Sequence, residues 1–155
     1  CKYLEAPDYT LDQTLTKQSM DAFQEYIEKY PNSERVAEAN KLMDELRENL
    51  IEKDYQNAFN YYKTMQYHAA CVSFKRFLND YPDVSQKREN AMYYIVLAGY
   101  KYANNSVEDK LKERFEEVIL DYERYSVVFA NMKDEKKRQE LENIYNESKI
   151  KYNGL

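Results

Sequence analysis

The chain has 155 residues and a net charge of −5, a length that suits one compact domain or one short repeat array. Its 2 glycines and 3 prolines exclude a hairpin-rich all-β fold and any glycine-rich phosphate loop. The 17 tyrosines give too much apolar surface for a disordered chain, and no segment is basic enough to favour nucleic acid.

Helical periodicity then runs almost unbroken. The spacing predicts a helix over 12–30, closed by Tyr30-Pro31-Asn32-Ser33. Residues 34–64 hold no Pro or Gly, and Val36, Ala39, Leu42, Met43, Leu46, Leu50, Tyr55, Ala58, Phe59 and Tyr62 recur three and four apart. That stripe predicts a long helix over 33–64. A short turn at Gln66-Tyr67 leads into a helix over 67–80, which Tyr81-Pro82-Asp83 ends. A helix over 85–103 follows, then a loop over 104–106 and a helix over 107–124 that Ser106-Val107-Glu108-Asp109 would open as a capping box. The stretch Ser126–Asn131 reads as irregular. A last helix over 133–152 carries Leu141, Ile144, Tyr145, Ser148 and Tyr152 on one side and dense charge on the other, as a capping helix should. The longest apolar run, Tyr93 to Tyr100, is too short to span a bilayer.

Stacking the stripes exposes a repeat. Phe23, Tyr26, Ile27, Tyr30 and Pro31 return as Phe74, Phe77, Leu78, Tyr81 and Pro82, then as Phe115, Val118, Ile119 and Tyr122, with Glu123 where the proline should stand. Each copy covers one helix face. Such units bury their faces only against neighbours, which predicts a solenoid. Catalytic chemistry finds little support. His68 is the sole histidine, the cysteines are Cys1 and Cys71, and the pairs Glu116-Glu117 and Asp44-Glu45 are adjacent, so each points to two sides of a helix. The expectation is no enzyme, no metal and no cofactor, with Cys71 a small core residue among Ala69, Ala70, Val72 and Phe74.

Ala58, Tyr61, Ala70, Phe74 and Pro82 resemble the tetratricopeptide (TPR) pattern, and Gly99, Tyr102, Leu111 and Phe115 stand at corresponding places of the next unit. The resemblance implies an all-α array of TPR-like hairpins with extended helices. The units are a half repeat over 12–30, repeats over 33–82 and 85–124, and a capping helix over 133–152, all in one domain cut from a longer chain. It assigns packing to Phe23, Ala58, Tyr61, Ala70, Phe74, Pro82, Gly99, Tyr102 and Phe115, with Ala58 and Gly99 admitting close helix approach and Tyr61 and Tyr102 filling the gaps beside them. In TPR families the first helix of each hairpin lines the concave face. The matching positions give a partner-binding set of Tyr55, Phe59, Tyr62, Arg88, Tyr93, Val96, Tyr100 and Lys101.

The Y-P-N-S and Y-P-D turns in extended TPR units, the segment Tyr3-Leu4-Glu5-Ala6-Pro7-Asp8-Tyr9-Thr10-Leu11-Asp12-Gln13-Thr14, and Asn105-Ser106-Val107-Glu108-Asp109-Lys110 before Glu113-Arg114-Phe115 resemble the C-terminal half of BamD-like lipoproteins of the Bacteroidetes type. That family implies a non-catalytic scaffold of the outer-membrane β-barrel assembly complex. It would sit on the periplasmic face of the outer membrane, bind periplasmic domains of BamA, and touch membrane only through a lipid anchor on the full-length chain. Cys1 is then either an acylated anchor or an internal cysteine at a fragment boundary. The competing expectation is a generic TPR adaptor that grips a partner peptide in its groove; a carbohydrate-binding module ranks below both, since the chain has no tryptophan.

Overall fold

A computed structural model describes residues 12–155; Cys1 and the choice between its two readings lie outside them. The described residues form six helices and no strand: α1 (Thr14–Lys29), α2 (Val36–Lys63), α3 (Tyr67–Asp80), α4 (Ser85–Asn104), α5 (Glu108–Ala130) and α6 (Glu135–Gly154). The fold is all-α and TPR-like, as the periodicity predicts. None of these helices is long and apolar enough to cross a membrane.

Two helix ends follow one rule. Tyr30 and Tyr81 leave the helix with nearly the same backbone, φ −131° and ψ 59° against φ −127° and ψ 70°. Each still donates its N–H to the carbonyl four residues back, Tyr26 and Phe77. The following prolines, Pro31 and Pro82, crowd the residue before them out of the helical region. The third copy has Glu123 instead, and α5 runs on to Ala130. The irregular stretch expected over Ser126–Asn131 is therefore helical almost to its end. Phe129 is buried there, and Tyr122 stacks on Tyr145 of α6 with ring centroids 4.4 Å apart. That packing outweighs the modest helix propensity of Val127 and Val128. The expected capping box also does not form: the Ser106 hydroxyl donates back to the Tyr102 carbonyl at 2.6 Å, and no side chain caps α5. α6 is capped, by Asp134, which accepts from the Lys137 N–H at 3.1 Å.

The chain divides into two compact units, Cys1–Asp54 and Tyr55–Leu155, with the boundary inside α2. In the first, α1 buries Thr16 and Ser19, and α2 buries Ala39, Leu46 and Ile51. The turn between them is pinned by a 2.7 Å hydrogen bond between the Tyr26 and Ser33 hydroxyls. In the second, α4 packs against α3, α5 and α6. It accordingly buries Ala91, Ile95, Val96 and Ala98 completely, so the Tyr93–Tyr100 run is apolar because it faces neighbours on nearly every side. Phe74 and Phe77 of α3, Phe115, Val118 and Phe129 of α5, and Leu141 of α6 complete this core.

Candidate protein-binding surface

Within the unit Tyr55–Leu155 the side-chain pairings reveal which helices run side by side. Asn90 meets Lys137, Tyr93 meets Glu140, Tyr100 meets Glu147 and Asn104 meets Lys151, every pair 47 residues apart. A constant offset requires two parallel helices in register, here over 14 residues or about 21 Å. The last turns of α2 relate to α4 in the same way: Lys87 lies over the Tyr55 ring and Tyr94 packs against the Tyr62 ring, both 32 residues on. The end of α2, α4 and α6 thus form a parallel series of first helices, with α3 and α5 as the returning helices.

The seam between α2 and α4 is aromatic. Tyr55 sets its edge against Phe74 and Phe77, at 5.7 and 5.6 Å. Phe59 and Tyr62 both pack on Tyr94, at 5.1 and 5.0 Å, and Tyr67 adjoins Tyr62 at 5.8 Å. The Lys101 ammonium lies over the Tyr62 and Tyr67 rings at 5.3 and 5.7 Å, and that of Lys63 over Phe59 at 5.1 Å. A hydrogen bond with Tyr62 is the main reason Lys101 holds its proton more firmly than an ordinary lysine. Burial pushes the Tyr94 hydroxyl up.

The expected partner-binding set divides. Tyr55, Phe59, Tyr62 and Lys101 meet at this seam. Tyr93 and Tyr100 instead turn to α6, donating to Glu140 at 2.6 Å and to Glu147. Burial, then the Glu140 bond, raises the Tyr93 pKa. Arg88 donates to the carbonyls of Leu78 and Tyr81 and so closes the C-terminus of α3. Val96 has no exposed surface. Tyr94, at the centre of the cluster, is absent from the expected set; its place seven residues before Lys101, on the same helix face, is the signal that points to it.

Among the packing residues, Ala58, Ala70, Phe74 and Phe115 are buried, Phe23 is half-buried and Pro82 exposed. Tyr61 is 40% exposed and does not fill a gap beside Ala58. Tyr102 lies between His68, at 5.0 Å, and the Arg114 guanidinium, at 4.0 Å. A Cβ on Gly99 would meet Val118 Cγ2 at 3.4 Å and Cys71 Sγ at 3.9 Å, ordinary contact, so close approach does not demand glycine there.

A second polar cluster joins α3 to α5. Lys75 pairs with Asp121 at 2.7 Å and Glu117 at 2.9 Å, and Arg124 reaches Asp121 at 3.1 Å. These charges satisfy one another. Cys71 beside them is half-buried, and its thiol donates to the Ile95 carbonyl at 3.5 Å. Burial pushes that thiol up to about 12, which leaves almost no nucleophilic thiolate at neutral pH. Among the described residues no group of His, Cys, Asp and Glu is placed to hold a metal ion.

A family model described as outer membrane lipoprotein, YfiO, matches residues 2–115. The match takes in α1 to α4 and the first turns of α5, including the whole aromatic seam. No curated protein matches the sequence. With the family model spanning well over half of its length, this chain belongs to the YfiO family of outer membrane lipoproteins.

Proposed function

We propose that this chain is a non-catalytic scaffold of the outer-membrane β-barrel assembly complex, acting on the periplasmic face of the outer membrane and binding the periplasmic part of a BamA-like subunit. The family match over residues 2–115 carries this reading. In the same reading the chain is the C-terminal half of a BamD-like protein of the Bacteroidetes type. In that organisation α1 is a half repeat, α2–α3 and α4–α5 are repeats, and α6 caps the array. The binding surface is the face of the parallel first helices, with Tyr55, Phe59, Tyr62 and Lys101 at its aromatic seam. Tyrosine and phenylalanine suit protein recognition because they offer large contact area at low entropic cost.

The test is a pull-down with the periplasmic domains of the same organism's BamA-like protein. Binding is expected, with loss in Phe59→Ala and Tyr62→Ala variants that remain helical. No binding at low salt overturns the proposal. The aromatic seam on its own favours a second reading, a TPR adaptor for a partner peptide; that reading holds if Tyr62→Ala abolishes peptide binding while the BamA-like domains never bind.

A further inference from the structure

The seam between α2 and α4 holds two cations on aromatic faces. Lys63 and Lys101 rest on the faces of Phe59, Tyr62 and Tyr67, and among the described residues neither ammonium makes an ion pair. Elsewhere in the same unit Lys75 pairs with Glu117 and Asp121, and Lys110 with Glu113, while Lys137, Lys149 and Lys151 also lie over rings. The rings beneath are only partly covered: Phe59, Tyr62, Tyr67 and Tyr94 are half-buried and Lys63 is exposed. The surface thus offers apolar area and positive charge at one place, in a chain whose net charge is negative.

Lys101 is also preorganised. The faces of the Tyr62 and Tyr67 rings hold its ammonium before any partner arrives. A flexible lysine would lose side-chain freedom on binding. Here that cost is already met in folding, and a carboxylate would gain a charge-assisted hydrogen bond at a partly desolvated site.

We propose that this seam recognises a partner segment in which a Glu or Asp side chain flanks an apolar one: the apolar side chain lies on Phe59, Tyr62 and Tyr94, and the carboxylate pairs with Lys101, with Lys63 as a second contact. This rests on the reading of the seam as the partner surface and specifies the partner's chemistry.

The test is fluorescence anisotropy at low salt with two labelled, C-terminally amidated peptides, one with glutamates on both sides of a phenylalanine and one with glutamines in their place. Amidation removes the terminal carboxylate, so only side-chain carboxylates are read. The glutamate peptide should bind about tenfold more tightly, equivalent to about 1.4 kcal/mol. Lys101→Gln, which keeps most of the stem over the rings, should abolish that preference with an unchanged circular dichroism spectrum. Equal binding of the two peptides, binding of neither, or a preference that survives in Lys101→Gln overturns the inference. The pull-down is scored separately: BamA-like domains that bind while the peptides show no preference leave the scaffold reading intact and remove only this one.

Discussion

Replacing Glu123 by proline tests the cause assigned to the length of α5. In the first two copies a proline follows the tyrosine and the helix stops; in the third it does not. The variant would remove the N–H that bonds the carbonyl of residue 119 and drive the ring into it. If α5 bends and holds, the cost is about 3 kcal/mol. If α5 instead stops at Tyr122, Phe129 loses its burial, about 1.5–3 kcal/mol. The stack of Tyr122 on Tyr145 goes too, about 0.5–1.5 kcal/mol. Both routes converge on about 3 kcal/mol. The control is Glu123→Ala, which gives up only the exposed 2.8 Å hydrogen bond from the Tyr145 hydroxyl, worth about 0.5–1 kcal/mol. In urea unfolding followed by circular dichroism, Glu123→Pro should lower the midpoint by about 1–2 M. A midpoint within about 0.5 M of the alanine control would refute the argument that a missing proline lets α5 continue.

Gly99→Ala should stabilise the protein by about 0.5–1 kcal/mol, because a helix interior disfavours glycine and the new methyl meets Val118 and Cys71 at ordinary distances; a measured loss above about 1 kcal/mol would show that α4 needs its bare backbone there. Stability should also fall as pH rises above about 10. The hydroxyls of Tyr93, Tyr94 and Tyr122 are pushed up, chiefly by burial, and that of Tyr145 by its bond to Glu123. The folded state therefore keeps protons that the unfolded chain releases, and its advantage is whole below the ordinary tyrosine pKa and lost above it. Urea midpoints measured across that range should fall more gently in Tyr93→Phe than in the parent protein, and equal slopes would count against burial as the cause.

The helices were legible because their signals are local. Proline after tyrosine marks two ends, and stripes spaced three and four apart mark the faces that Phe74, Phe77, Phe115 and Val118 bury. The tail of α5 was not legible, since its helicity depends on the burial of Phe129 and on Tyr122 stacking against Tyr145 of α6, a partner that no neighbouring residue reveals. Ser106 misled for a related reason: a hydroxyl at a helix start can serve the helix before or the helix after, and here it bonds back to Tyr102. The partner-binding set suffered from the same blindness. The TPR resemblance put Tyr93, Val96 and Tyr100 on the partner-binding face of α4 but carried no information that α6 would lie parallel to α4 and take the two hydroxyls. Arg88 looked like a surface charge because its acceptors are carbonyls, which have no sequence signature.

The grip of α6 on α4 has a dynamic consequence. It is made mostly by side-chain tips, hydroxyl on carboxylate and ammonium on amide, while only Leu141, Ile144 and Ser148 of α6 are buried. Contacts of that kind contribute little each, so this helix sits at the low end of the local stability scale. Its amide protons should exchange with solvent well before those of α4. Each such opening releases the Tyr93 and Tyr100 hydroxyls from their carboxylates and takes the Tyr145 ring away from Tyr122 of α5.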